Sequence, residues 1–330
     1  MINLFNSIIN RKGLRNSAIA NKSDSTKYVA KEIQKNTNAY VSEGYGNGFV
    51  LFLDILGFKD IVSKSEHNDA KMRRIVGIFD SINKQYKSKK WGGGYIFPIT
   101  KGDLTIDKYL PETSMSVSMS LFSDSIIITY RPEIKPRFVE WYEQLHQIFN
   151  DICKIMYLFA ENDIFMRGGL SYGLVYHEGN CCYGPALEQA CLMEEKIVYP
   201  TIGLCEPVRL MIISDLQSKE IDDFAPGYKT PYELRNFARD FFAIFCDSLI
   251  IKNGENKETF SYVDWLSAGF FYNMSCLHQV RNHIEHHYRE KNVERVREKY
   301  KWLKEAFNRA TYAPKALGKD ADYSKLVIED

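Results

Sequence analysis

Apolar positions along this chain fall into two rhythms, one continuous and short, the other spaced at three and four. The run Phe49-Val-Leu-Phe-Leu ends in Asp54-Ile55-Leu56-Gly57-Phe58, and its length and β-branched, aromatic make-up predict a strand buried on both faces. Leu121-Phe-Ser-Asp124-Ser-Ile-Ile-Ile128 reads as a second strand, with one Asp interrupting it. Between them, Met72, Ile75, Val76, Phe79, Ile82 and Tyr86 recur at helical spacing, and Trp91-Gly-Gly-Gly-Tyr95 closes that segment. Phe138, Trp141, Leu145, Ile148, Phe149, Ile152 and Ile155 predict another helix, after the break at Arg131-Pro132. A third strand leads into Phe165-Met-Arg167-Gly-Gly-Leu-Ser-Tyr-Gly173, and Gly184-Pro-Ala-Leu opens a further helix. The order strand, helix, strand, helix, strand predicts helices laid on a sheet.

The flanks read differently. Residues 1–46 are expected to form an N-terminal extension, partly flexible, because Asn, Ser, Lys and Gly dominate it; Leu4, Phe5, Ile8 and Ile9 within it could make a short sticky helix. Beyond Pro200, strand-like runs at Leu210 to Ile213 and Phe241 to Ile251 precede a charged helical segment from about His283 to Arg309. Its seam of Val293, Val296, Tyr300, Leu303 and Phe307 suits packing on its own domain or on a twin equally well. Phe245-Cys-Asp247-Ser-Leu-Ile-Ile251 echoes the Asp124 run, but no longer match surrounds it, so Asp247 reads as a polar strand residue.

Charge and cysteine content narrow the function classes. Lys and Arg number 43 against 42 Asp and Glu, so no general polycation is present to grip a nucleic acid polymer. Seven cysteines at scattered positions lack the spacing of a zinc ribbon or a disulfide framework, which predicts a reducing, cytoplasmic setting. No run approaches the roughly 20 apolar residues of a membrane helix, so no stable membrane insertion is expected.

The candidate chemistry lies in the two strands with single carboxylates. Burying an unpaired carboxylate is costly, so Asp54 and Asp124 together suggest a compensating cation, for which hard Mg²⁺ or Mn²⁺ suits oxygen ligands. The Leu56-Gly57-Phe58 turn brings backbone N–H groups to a helix start, where phosphate binds readily. Arg167 reads equally as a phosphate contact or as a surface salt bridge. The trio His283, His286 and His287 around Glu285 lacks metal-ligand spacing and reads as a polar helix face. Tyr45, in Gly44-Tyr-Gly-Asn-Gly48, is either a ring over a base or part of a turn.

In this order and spacing, residues 47–202 resemble the catalytic domain of the class III nucleotidyl cyclases. Arg167-Gly-Gly-Leu-Ser-Tyr-Gly, Gly184-Pro-Ala-Leu and Tyr199-Pro-Thr-Ile look most like the Pycsar antiphage pyrimidine cyclases. The resemblance implies an α+β, ferredoxin-like core with a C-terminal α/β extension over 203–330. It implies two divalent ions, Mn²⁺ or Mg²⁺, held by Asp54, Asp124 and the backbone carbonyl of Ile55. Arg167 would reach the β- or γ-phosphates, and Leu56, Gly57 and Phe58 would cradle the triphosphate. It further implies a homodimer with shared sites, and a cyclic nucleotide read by a separate effector in antiviral defence. Purine cyclases read the base with Lys or Glu and with Asp or Cys, at positions that here hold Ser120 and Cys181. Their helical Asn and Arg fall on Glu188 and Leu192. These departures point to UTP or CTP, with UTP favoured as the source of the family's commoner product. The competing readings are a degenerate nucleotide-binding module, suggested by Leu192 in place of Arg, and a palm-type phosphotransferase, disfavoured by the near-neutral charge.

Overall fold

The continuous apolar run becomes β1 (Tyr45–Ile55), a strand near the middle of the sheet. This computed structural model describes residues 45–65, 69–86, 90–91, 115–132, 138–217, 246–253, 256–290, 293–316 and 319–329. Phe49, Leu51, Leu53 and Ile55 enter the main core, while Val50 joins a smaller one with Ala186 and Ala190 on the other face. Each large apolar side chain fully buried contributes about 1.5–3 kcal/mol. Both parities of β1 gain from this, so its sequence does not alternate.

After β1 come α1 (Phe58–Ser65) and α2 (Asp69–Tyr86), then the hairpin of β3 (Met115–Phe122) and β4 (Ser125–Pro132), with β2 (Lys90–Trp91) at its edge. The helix α3 (Phe138–Ala160) leads to β5 (Met166–Glu178). β1 pairs antiparallel with β4 on one side and with β5 on the other. The order β3-β4-β1-β5 is the antiparallel ferredoxin-like arrangement, and the fold class is α+β. α2 and α3 bury Ile75, Ile78, Ile82, Ile148, Phe149 and Ile152 against one sheet face.

The chain continues through β6 (Cys181–Tyr183), which pairs with β5, α4 (Pro185–Lys196), β7 (Ile202–Leu204) and α5 (Glu206–Gln217). β8 (Cys246–Asn253) and β9 (Asn256–Val263) form a hairpin, and β9 pairs with β7, which lies parallel to β5. The segment beyond residue 202 therefore extends the same sheet. The helices α6 (Trp265–Phe271), α7 (Leu277–Glu290), α8 (Glu294–Ala310) and α9 (Ala313–Ala316) complete the main core.

Four expectations change. The Leu121 to Ile128 run is not one strand: it breaks at Ser123 and Asp124, a two-residue loop closed by the Phe122 and Ser125 pair, with Ser123 at φ 51°. Leu210 to Ile213 is helical, inside α5, whose start is marked by Glu206 and Pro207. The charged segment near His283 is two helices, α7 and α8, and Leu303 and Phe307 are fully buried in the protein's own core. Val293, the first residue of the expected seam, is 63% exposed because it caps α8 from outside. The N-terminal expectations, Leu4 to Ile9 included, and the Gly92 to Tyr95 helix stop lie outside the described residues. Among the described residues, no helix is long and apolar enough to cross a membrane, and the seven cysteines are free thiols.

Candidate active site

Asp54 is the penultimate residue of β1, directly opposite Ser125 on β4 and Arg167 on β5. Facing residues on paired strands share a sheet face, so Asp54 and Arg167 project together on the side covered by α4. The Arg167 Nε lies 3.5 Å from Asp54 Oδ2, and its Nη2 lies 2.5 Å from Glu194 Oε1. Arg167 Nη1 also donates to the Ile197 carbonyl at 3.4 Å. The Asp124 loop is tied to the end of β1 by a backbone bond, Ile55 N–H to the Asp124 carbonyl at 3.0 Å. Asp54 and Asp124 are thereby neighbours in space, on adjacent elements.

The structure corrects the expectation of two buried, unpaired carboxylates. Asp54 keeps 22% of its side chain exposed and is paired with Arg167, while Asp124 sits half-buried on a loop. Charge still accumulates here. Burial pushes the Asp54 carboxyl up; Arg167 opposes this, and Asp124 pushes the same way as burial, leaving a net rise. Glu194 is also raised, by burial first and by Asp54 beyond that, against the pull of Arg167. Arg167 thus faces two carboxylates, Asp54 and Glu194, with Asp124 beside Asp54.

Glu194 was missed in the sequence. It is 7% exposed on α4, in line with Ala186 and Ala190 at four-residue spacing, and that buried stripe was the available signal. α4 reaches Arg167 because Gly169 has no side chain: a Cβ there would meet the Ala190 carbonyl at 2.3 Å. The Arg-Gly-Gly motif is thus one cation followed by the surface on which α4 lies. Ser171 adds an anchor, donating to Gln189 Oε1 at 2.8 Å.

The phosphate-binding candidates lie beside the carboxylates. Leu56 N–H donates to the Phe165 carbonyl at 2.9 Å, Gly57 turns the chain at φ 73°, and the Gly57 carbonyl accepts from Ile61 N–H at 3.1 Å to start α1. Leu56 and Phe58 pack their side chains against the core. With Leu56 N–H already bonded to Phe165, the expectation that Leu56 cradles phosphate changes, and the N–H groups turned to a ligand are those of Gly57 and Phe58 at the α1 start.

The base-contact candidates form a second group. Ser120 is 1% exposed, and its hydroxyl bonds His177 Nε2 at 2.7 Å and the Gly179 carbonyl at 3.2 Å. The tip of the β5–β6 hairpin therefore rests on β3, bringing the exposed Cys181 near Ser120. Ser120 lies two residues before the end of β3, about 7 Å along the strand from the start of the Ser123-Asp124 loop. Glu188 and Leu192 lie on the exposed side of α4. Tyr45 opens β1, its ring 5.9 Å from that of Tyr183. Each of these three histidines of α7 meets an acid: His287 Nε2 lies 2.6 Å and His283 Nδ1 3.5 Å from Asp163 Oδ1, and His286 Nδ1 lies 3.4 Å from Glu290 Oε1. Asp247 accepts from Ser248 N–H and Tyr262 O–H, as a polar strand residue would.

No protein-family model matches the chain, and no curated protein matches it by sequence. Solved structures do. The catalytic core of a rhodopsin-guanylyl cyclase with converted specificity, in complex with ATPalphaS, is 16% identical over 66% of this chain and 95% of its own, with a TM-score of 0.34. The guanylyl cyclase Cya2 is 9% identical over 66% and 91%, with a TM-score of 0.31.

Asp54 and Asp124 suit a divalent cation: both offer hard oxygen atoms, and a cation there would oppose the burial that pushes the Asp54 carboxyl up. Among the described residues, no group of three or more His, Cys, Asp or Glu side chains is placed to hold a metal. Two carboxylates and the Ile55 carbonyl would thus form a partial ligand set, completed by oxygens of a bound phosphate.

Proposed function

We propose that this chain is a cytoplasmic pyrimidine nucleotide cyclase, converting UTP to 3′,5′-cyclic UMP and pyrophosphate, with CTP as the alternative substrate. The observation that carries the reading is the meeting of Asp54 and Asp124 at the end of β1, between the α1 start and Arg167. In the reaction, the ribose O3′ bonds to the α-phosphorus, the bond from that phosphorus to the bridging oxygen of the β-phosphate breaks so that pyrophosphate departs with that oxygen, and the hydroxyl proton passes to water. Divalent cations, Mn²⁺ or Mg²⁺, would lower the pKa of the 3′ hydroxyl and neutralise phosphoryl charge when bound.

The chain supplies the rest. Asp54, Asp124 and the Ile55 carbonyl would hold the cations; the N–H groups of Gly57 and Phe58 at the α1 start orient the triphosphate. Arg167 takes the leaving pyrophosphate, exchanging its carboxylate partners for phosphate oxygens. Base and ribose recognition is assigned to the corner where Ser120 holds the turn before Cys181, and to Glu188. A homodimer is favoured because exposed apolar side chains flank the acidic group: Phe122 two residues before Asp124, and Leu192 two residues before Glu194, at 44% and 49% exposure. The product would be read by a separate cyclic-nucleotide effector in antiphage defence. Leu192, where purine cyclases carry Arg, favours a second reading, a nucleotide-binding module without turnover.

The test is Asp54→Ala and Asp124→Ala in the purified protein with Mn²⁺. Each is expected to lower turnover at least ~100-fold with its melting temperature little changed, since each removes a half-buried carboxylate rather than a core side chain. Wild-type turnover by either variant would remove the two-cation assignment.

A further inference from the structure

The helix α8 belongs to the part of the chain beyond the ferredoxin-like core, yet it is fixed on both flanks of Arg167. Tyr300 packs edge-on against Phe165, at 5.6 Å between ring centroids, and Phe165 lies two residues before Arg167. Trp302 stacks on Tyr199 at 4.9 Å and 16°, and Tyr199 lies two residues after Ile197, whose carbonyl accepts from Arg167. Lys299 immediately precedes Tyr300 and lies three residues before Trp302 and four before the fully buried Leu303, so it stands on the inward side of α8. It is half-buried. Its charge acts on Glu194, the buried carboxylate that grips Arg167.

Two requirements meet at this place. The carboxylates outnumber the guanidinium, and Arg167 can turn to a phosphate only if Asp54 and Glu194 have another positive charge at hand. A polyphosphate entering the site brings several more negative charges, which one guanidinium does not balance. We propose that Lys299 is a second cation of the polyphosphate site, delivered by α8, and that it binds the outer phosphates of a nucleoside triphosphate together with Arg167. This rests on the triphosphate-binding reading above. α8 is accordingly part of the active site.

The experiment is calorimetric titration of the full chain with inorganic tripolyphosphate in Mn²⁺, for the wild type, Lys299→Met and Lys299→Arg. Loss of one charge-assisted bond predicts roughly tenfold weaker binding for K299M, with K299R within about threefold of wild type. Orthophosphate affinity should hardly move, since it does not span both cations. A matching rise in KM for the triphosphate, with kcat less affected, is the kinetic counterpart. Unchanged tripolyphosphate affinity in K299M overturns the proposal, as does a wild type that binds no tripolyphosphate. Lys299→Gln serves as a second neutral variant; if neither it nor K299M folds, Lys299 is structural and the proposal falls. Should Lys299-dependent binding appear without any cyclic product, the cation site stands and the cyclase reading fails. Cyclic product with K299M indistinguishable from wild type gives the reverse.

Discussion

His177 shows how one side chain decides what its neighbours can do. Ser120 has a single proton and gives it to the Gly179 carbonyl, so the bond from Ser120 to the ring must be donated by His177 Nε2–H. Nδ1 then accepts from Thr129 O–H at 2.8 Å, and the imidazole is neutral. Burial pushes its pKa down to about 4, with Arg131 acting in the same direction. The folded pKa lies below the unfolded value of about 6.5, so the unfolded chain takes up a proton first as pH falls. Stability is therefore expected to drop between pH 6.5 and 4 by up to roughly 3 kcal/mol from this residue, and His146, pushed down to about 4 by burial, adds with the same sign. Urea denaturation of wild type and His177→Gln at pH 7 and 5 checks this. A stability loss as large in the variant as in the wild type would contradict it. Asp54, Asp124 and Arg167 were legible in the sequence because single charges in or beside apolar runs stand out. Glu194 and Lys299 were not, because their neighbours are charged and only the helix crossings give them meaning.

At the level of elements, the strands and helices of the core were legible where periodicity ran long, as in α2, α3 and β1. Short apolar runs misled. Leu210 to Ile213 has too few residues to separate strand from helix by pattern, and the start signal at Glu206-Pro207 was the better guide. The Asp124 run concealed a hairpin, because Ser123 adopts a positive φ without a glycine to announce it. The Arg-Gly-Gly motif gives a paired test of why α4 lies where it does. Gly169→Ala should push the Ala190 backbone away, costing about 1–3 kcal/mol and lowering turnover by moving Glu194 off Arg167. Gly77→Ala, in α2 with nothing within 4 Å of the added Cβ, should instead stabilise by up to ~1 kcal/mol. Thermal melts of the two variants should move in opposite directions; equal shifts would show that α4 does not depend on the bare glycine surface.

Across the whole molecule, the sheet does not stop where the family resemblance stops. β7, β9 and β8 extend it, and α8 returns to the β5 start, so the extension and the core share one apolar interior. Sequence pattern could place these elements in order but not in space, since β7 pairs with residues 34 positions before it on β5 and about 60 positions after it on β9. Under the proposed homodimer, the Ser120 and Cys181 corner of one copy would serve the Asp54, Asp124 and Arg167 group of the other. Mixing Asp54→Ala protein with a Glu188→Ala, Cys181→Ala variant should restore part of the lost activity, because a mixed dimer holds one intact site. No recovery after demonstrated subunit exchange would count against shared sites.

The central claim is tested most directly by incubating the purified full chain with each of the four nucleoside triphosphates and Mn²⁺, and identifying products by mass spectrometry. The account predicts 3′,5′-cyclic UMP, or cyclic CMP, together with pyrophosphate, and far less product from ATP or GTP. Cyclic AMP or cyclic GMP as the main product would contradict the pyrimidine assignment, and no cyclic nucleotide from any of the four would contradict the cyclase itself.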